Sequence, residues 1–160
     1  MRQRLLTLAL LSVLILPAAA QELKPFVAGS IKEITAARQG KPFILGMWSL
    51  TCTHCREELV LLSGLLKKHP DLDLVLIATD TPEEGEVISA TLRQSALGGA
   101  EAWVFADPFV ERLRFEIDPK WHGELPRTYL YDPSHKARAF SGKPDARQME
   151  RWVQAHFAAR

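Results

Sequence analysis

This chain of 160 residues contains little cysteine, and its charged residues show almost no excess of either sign. Only two cysteines occur, 20 basic residues balance 19 acidic ones, and the formal net charge is +1. A near-neutral balance gives no support for nucleic-acid binding, and the absence of long charged runs argues against disorder. Beyond the first twenty residues, no apolar stretch reaches the roughly 20 residues that a bilayer span needs. Internal repeats and linkers are also missing, which favours one domain.

The longest apolar run that is present lies at the N-terminus. A basic start precedes an apolar run over residues 5–16, and small side chains follow over residues 17–20. This pattern is typical of a secretory signal peptide, with cleavage expected after Ala20. An uncleaved anchor is the alternative, although the run is short for a membrane span. We therefore predict a signal peptide over 1–20, a single domain over 21–160 and a location in a bacterial periplasm.

Both cysteines lie where an apolar run, residues 43–48, gives way to a leucine-rich helical pattern, residues 57–68. They are therefore expected between the end of a buried strand and the start of a helix. The unpaired N–H groups and partial positive charge of a helix N-terminus favour a thiolate over a thiol. Cys52 would be exposed and Cys55 one turn deeper, so one thiolate could attack a partner's disulfide and the other resolve the mixed disulfide. A structural staple is the alternative, but so short a loop constrains little of the unfolded chain.

The rest of the chain alternates strand and helix patterns and ends in a hairpin. After an extended lead-in over 21–30, we expect helices over 31–39, 53–68, 82–96, 110–115 and 144–157, and strands over 43–48, 72–78, 102–106, 127–131 and 136–140. The almost continuous apolar character of the first two strands indicates burial on both faces. This order of elements predicts an α/β sandwich with a mixed central sheet.

Three short segments carry a resemblance to a known family. Trp48 precedes Cys52 by four residues, the second cysteine opens the run Cys55-Arg56-Glu57-Glu58, and Leu125-Pro126-Arg127-Thr128 leads into a later strand. Together they resemble the thioredoxin fold and, within it, the exported TlpA/ResA-like thiol–disulfide oxidoreductases, over residues 41–157. The resemblance implies a thioredoxin-like three-layer sandwich and protein-disulfide oxidoreductase activity. It also implies a redox-active disulfide, with no other cofactor and no metal.

Around the disulfide, the residues and the resemblance assign four roles. Cys52 is the expected nucleophile and Cys55 the resolving cysteine. Glu58 is the candidate acceptor of the Cys55 proton, because Gly46 stands where thioredoxin keeps a buried carboxylate; an ordinary first-turn acid is the alternative. His54 is expected to stabilise the Cys52 thiolate when it is protonated, with a solvated side chain as the alternative.

Substrate binding is assigned to Trp48, Leu125 and Pro126. The resemblance implies a cis peptide between Leu125 and Pro126, in a loop that lies against the disulfide. In the family, the backbone of this loop pairs with the incoming cysteine peptide.

The leading function is a periplasmic dithiol–disulfide oxidoreductase that mainly reduces protein disulfides. Family members work in cytochrome c maturation or metal-centre assembly and draw electrons from a membrane reductant carrier. The resemblance thus implies cysteine-containing partners, such as apocytochrome c or metal-centre assembly proteins, and a carrier of the DsbD/CcdA type. Two alternatives stay open. One is a DsbA-like thiol oxidant, suggested by His54, although the chain lacks room for that family's helical insertion. The other is a Cu(I)-binding metallochaperone that uses both thiolates with His54 or His122.

Overall fold

A computed structural model describes residues 22–157, so the expected signal peptide over 1–20 lies outside the described residues. The strands are β1 (Leu23–Phe26), β2 (Phe43–Trp48), β3 (Leu74–Ala78), β4 (Glu101–Phe105), β5 (Arg127–Tyr131) and β6 (Ala137–Ser141). The helices are α1 (Ser30–Ala36), α2 (Cys55–Lys68), α3 (Gly85–Gln94), α4 (Val110–Ile117) and α5 (Ala146–Phe157), and a short 3-10 turn, Pro82–Glu84, precedes α3. In this part of the chain, no helix combines the length and apolar character that a membrane span requires.

The six strands form one mixed sheet in the order β1-β4-β3-β2-β5-β6. Strands β1 to β4 pair in parallel, whereas β5 and β6 are antiparallel to their neighbours, which confirms the predicted mixed sheet. The one strand that the sequence pattern does not reveal is β1. It lies within the expected extended lead-in and pairs with β4 at the sheet edge, with Leu23 opposite Ala102 and Phe26 opposite Phe105.

Strand β2 is buried on both faces because its alternate side chains enter two different cores. Ile44 and Trp48 join the core that also contains Leu59, Leu62 and Leu65 of α2, Ile88 and Leu92 of α3, and Met149 and Val153 of α5. Phe43, Leu45 and Met47 join the other core, with Ile31 and Ile34 of α1 and Leu113 and Ile117 of α4. Helices therefore cover both faces of the sheet, which confirms the predicted three-layer α/β sandwich.

The register of the central strands decides which loops meet at one edge of the sheet. Trp48, the last residue of β2, lies opposite Ala78 at the end of β3. Because β5 is antiparallel to β2, its first residue, Arg127, lies opposite Met47. The segment after β2, the segment after β3 and the segment before β5 are therefore neighbours, and the cysteines follow β2 directly.

Candidate active site

Cys52 lies in the turn between β2 and α2, and Cys55 is the first residue of α2. A disulfide joins them, with their Cα atoms 5.3 Å apart. Cys52 is half-buried, whereas Cys55 is fully buried, with 0% of its surface exposed. A thiol or disulfide from another protein can therefore reach Cys52 but not Cys55. The two sulfurs thus differ in access as well as in their position along the helix.

A backbone N–H at the start of α2 points at the disulfide. Cys55 N–H donates a hydrogen bond to Cys52 Sγ at 3.2 Å. Helix α2 is 14 residues long and begins at this residue, so its unpaired amides and the positive end of its dipole lie beside the sulfur. An ionised acceptor makes a stronger hydrogen bond than a neutral one. The arrangement therefore stabilises a Cys52 thiolate relative to the thiol.

Glu58 is a buried acid, one turn along α2 from Cys55. It is only 1% exposed, and burial raises its pKa from 4.5 to about 7, against the lowering effect of a hydrogen bond from Thr128. In that bond, Thr128 Oγ1 donates to Glu58 Oε1. A carboxyl with a pKa near neutrality can both take up and release a proton at physiological pH. The side chain thus lies deeper, and is more strongly perturbed, than an ordinary first-turn acid.

The surroundings of Gly46 leave little room for a larger side chain at this position. A Cβ atom at Gly46 would lie 3.1 Å from Leu76 Cδ2 and 3.2 Å from Leu62 Cδ1. These distances are tighter than ordinary packing contacts, so the two leucines already fill the space of a side chain. Among residues 22–157, Glu58 is the only buried Glu, and it lies on helix α2 rather than on the sheet.

His54 lies at the N-cap position of α2, but its side chain is exposed and makes no capping hydrogen bond. Nearby Glu57 has a pKa below its usual range because of the hydrogen bond and charge of Lys143, with a smaller contribution from the charge of His54. Lys143 Nζ lies 2.6 Å from Glu57 Oε2. The structure therefore places His54 as a solvated side chain at the mouth of the site, and its effect on the Cys52 thiolate stays a prediction.

The peptide between Leu125 and Pro126 is cis, as the resemblance implied. Pro126 is buried and Leu125 is half-buried, and Leu125 packs against the cores on both sides of the sheet. The proline carbonyl accepts a hydrogen bond from Gly142 N–H at 2.8 Å. Since this segment leads into β5, it lies beside the end of β2 from which the cysteine loop starts.

The next residue, Arg127, forms hydrogen bonds that join the cis-proline segment to the preceding loop and to strands β5 and β6. Its guanidinium donates to Asp118 Oδ2 at 2.7 Å, to Tyr129 Oη at 3.1 Å and to Glu124 Oε1 at 3.3 Å. It also donates to Ser141 Oγ on β6. The loop that precedes Leu125 is therefore held to two strands by one side chain whose guanidinium is largely buried.

The assignment of Trp48 to substrate binding stays a prediction. The side chain is 2% exposed and lies in the core together with Cys55 and Leu59. The structure therefore places the indole in the interior, in the same core as the buried cysteine. Within the described range 22–157, its indole N–H has no hydrogen-bond partner.

Two residues to which the sequence analysis assigned no role contact the site. Thr128, fully buried on β5, supplies the hydrogen bond to Glu58. Asp80, which follows β3, accepts hydrogen bonds from Ser49 and Leu50 in the cysteine loop. Both contacts join segments that are far apart in the chain, and a single sequence carries no local signal for such pairs. In residues 22–157, no cluster of three or more His, Cys, Asp or Glu side chains is placed to hold a metal ion.

No protein-family model matches this chain, and no curated protein matches it. Solved structures do. A secreted Mycobacterium tuberculosis disulfide oxidoreductase homologous to E. coli DsbE is 20% identical, with 75% of this chain and 85% of that chain covered and a TM-score of 0.60. A thiol:disulfide interchange protein of the thioredoxin family from Chlorobium tepidum is 17% identical, with 78% and 85% covered and a TM-score of 0.61. StoA from Bacillus subtilis is 20% identical, with 72% and 84% covered and a TM-score of 0.52. At these identities the likeness shows the fold: the chain has the thioredoxin fold.

Proposed function

We propose that this protein is a thiol–disulfide oxidoreductase that exchanges disulfides with cysteine-containing proteins through Cys52 and Cys55. One observation carries the proposal: a disulfide joins one reachable and one buried cysteine at the start of a helix, on a thioredoxin fold. A disulfide that spans two residues adds little stability, because it closes too small a loop to constrain the unfolded chain. It suits a bond that is made and broken during function.

In the reducing direction, the Cys52 thiolate attacks one sulfur of the partner's disulfide. A mixed disulfide forms, and the partner's other sulfur leaves as a thiolate that takes a proton from solvent. Cys55 then gives its proton to Glu58, and its thiolate attacks Cys52 Sγ. The mixed disulfide breaks, the second partner sulfur leaves as a thiolate, and the Cys52–Cys55 disulfide is formed. Two electrons have passed from the dithiol to the partner.

The reducing direction rests on the family resemblance, since the exported TlpA/ResA-like oxidoreductases mainly reduce protein disulfides. Glu58 and Cys55 are three residues apart on α2 and are both buried, so they are neighbours on one side of the helix. A carboxyl beside the resolving thiol supports transfer of the Cys55 proton in either direction of exchange. A DsbA-like thiol oxidant stays the alternative, because a stabilised Cys52 thiolate stabilises the reduced form.

We further propose that the protein works in the periplasm after removal of its leader. This rests on the N-terminal pattern, and it agrees with the description of the similar M. tuberculosis protein as secreted. On the family resemblance, its partners are apocytochrome c or metal-centre assembly proteins, and its electrons come from a membrane carrier of the DsbD/CcdA type.

Replacing each cysteine by serine tests the proposal. In an insulin-reduction assay, Cys52→Ser should abolish turnover, because no nucleophile remains that a partner can reach. Cys55→Ser should also stop turnover but should accumulate a mixed disulfide through Cys52, because the resolving thiol is missing. If the wild-type protein does not accelerate insulin reduction, the proposed activity is wrong. If the mixed disulfide forms through Cys55 in Cys52→Ser instead, the two roles are reversed.

A further inference from the structure

We propose that Asp80 is a positioning residue that holds the loop before Cys52 in the geometry that the nucleophile needs. This inference rests on the proposed function, since it concerns the reactivity of the Cys52 sulfur. Asp80 is 8% exposed and follows the end of β3 by two residues. The proposed reaction leaves it without a role, and it lies far from Cys52 in the sequence.

All the hydrogen bonds that the Asp80 carboxylate accepts within residues 22–157 come from this loop. Ser49 Oγ donates to Asp80 Oδ1 at 2.8 Å. Leu50 N–H is shared between Oδ1 at 3.2 Å and Oδ2 at 3.0 Å. A buried carboxylate is costly unless its oxygens are paired, so burial and pairing together tie the loop to the end of β3.

Through Ser49, the hydrogen bonds of Asp80 also restrain the nucleophile, Cys52. Its hydroxyl proton goes to Asp80, so its oxygen is left to accept from Thr51 N–H at 3.2 Å and from Thr51 Oγ1 at 3.0 Å. The carbonyl of Ser49 accepts a hydrogen bond from Cys52 N–H at 3.2 Å. Asp80 thus fixes the first two residues of the loop directly, and the next two through Ser49.

The carboxylate itself is held by a rigid part of the fold. Thr79 N–H donates to Trp48 O at 2.9 Å, which continues the pairing of β2 with β3 up to the residue before Asp80. The contact therefore joins the ends of two adjacent strands across the start of the cysteine loop. Its consequence is that Cys52 Sγ stays aligned with Cys55 N–H, the group that stabilises the thiolate.

The positioning role and the charge of Asp80 predict opposite changes in the thiolate fraction of Cys52 when Asp80 is replaced. A carboxylate near a thiolate disfavours it, so loss of the charge alone should raise the thiolate fraction of Cys52. Loss of the hydrogen bonds should release the loop and lower that fraction. Asp80→Asn removes the charge but keeps an acceptor for Leu50 N–H and a polar partner for Ser49. Asp80→Ala removes both.

The test is the rate at which iodoacetamide alkylates Cys52 in the reduced full-length protein at pH 7, followed by peptide mass spectrometry. Asp80→Ala should react about tenfold more slowly than wild type, because the sulfur loses its fixed geometry. Asp80→Asn should react at the wild-type rate or faster. Asp107→Ala is the matched control: Asp107 follows β4 and accepts a hydrogen bond from Phe109 N–H of its own loop at 2.9 Å, so this variant should leave the rate unchanged.

A second variant guards against a folding defect in Asp80→Ala. Ser49→Ala leaves the carboxylate in place and removes the link to Thr51, so it should also slow alkylation, and the two effects should not add in the double variant. The proposal is overturned if both Asp80 variants react faster, if Asp80→Ala and Ser49→Ala match wild type, or if Asp107→Ala slows equally. Because alkylation needs no protein partner, a wild type that fails to reduce insulin would refute the proposed function without affecting this test.

Discussion

Replacing Glu58 by Gln should make the protein more stable at alkaline pH and leave its stability at acidic pH nearly unchanged. The substitution keeps the shape of the side chain and an oxygen that can accept the hydrogen bond from Thr128. It removes the charge that burial disfavours. The wild-type carboxyl has a pKa raised by burial from 4.5 to about 7, so the charged form is the unfavourable one in the folded protein.

The sign follows from proton binding. An acid whose pKa is raised by folding binds its proton more tightly in the folded state than in the unfolded one. Its stabilising effect is complete below the unfolded pKa of Glu58, 4.5, and is lost as the pH rises through about 7. A pKa raised to this extent corresponds to about 3 kcal/mol of the free energy of unfolding. Wild type should therefore lose about 3 kcal/mol, relative to Glu58→Gln, between acidic and alkaline conditions.

Urea unfolding of the oxidised protein at a series of pH values, followed by tryptophan fluorescence, measures this difference. Glu57→Gln is the matched control, because Glu57 lies next to Glu58 on α2 but is exposed, and Lys143 holds its pKa below the usual range. Glu57→Gln should therefore change the free energy of unfolding in the opposite direction, as a loss of stability. This effect should vary with pH only in the acidic range. If the difference between wild type and Glu58→Gln stays constant from pH 5 to pH 8, the carboxyl does not titrate in a buried environment and the reasoning fails.

Two further variants test the surroundings of the site. Thr128→Val keeps the shape but removes the donor that lowers the pKa of Glu58, so the pH-dependent loss of stability should move to higher pH; a loss that stays in place or moves lower would contradict the contact. Arg127→Met removes the cation from Asp118 and loosens the segment that ends at Leu125, so it should destabilise the protein by about 1–3 kcal/mol in urea unfolding and raise the KM for a protein disulfide. An unchanged KM would show that this loop does not help to bind the partner.

Local patterns predict the central elements of the fold well. Strand β2 coincides with the apolar run over 43–48, and the capping box formed by Thr81 and Glu84 lies at the start of the helix expected over 82–96. Strand β1 is the exception, since a four-residue edge strand has no distinctive periodicity. Its partner residues on β4 lie 79 positions further on, as from Leu23 to Ala102, and such pairings leave no mark on the local pattern.

Functional residues that are neighbours within one helix can also be predicted, whereas contacts between distant segments cannot. The spacing of Cys55 and Glu58 follows from helical periodicity, so both can be identified from the sequence. The contacts of Thr128 and Asp80 depend on strand register, which a single sequence does not specify. The burial of Trp48 agrees with the burial of both faces of β2 that the apolar run predicts.

The reduction potential of the Cys52–Cys55 couple tests the central claim most directly. It can be measured by equilibrating the protein with defined ratios of reduced and oxidised glutathione, or of a more reducing dithiol, and quantifying the free thiols. A protein that reduces disulfides should have a potential near that of thioredoxin, about −270 mV. A potential near that of DsbA, about −120 mV, would contradict this account and make the protein a thiol oxidant.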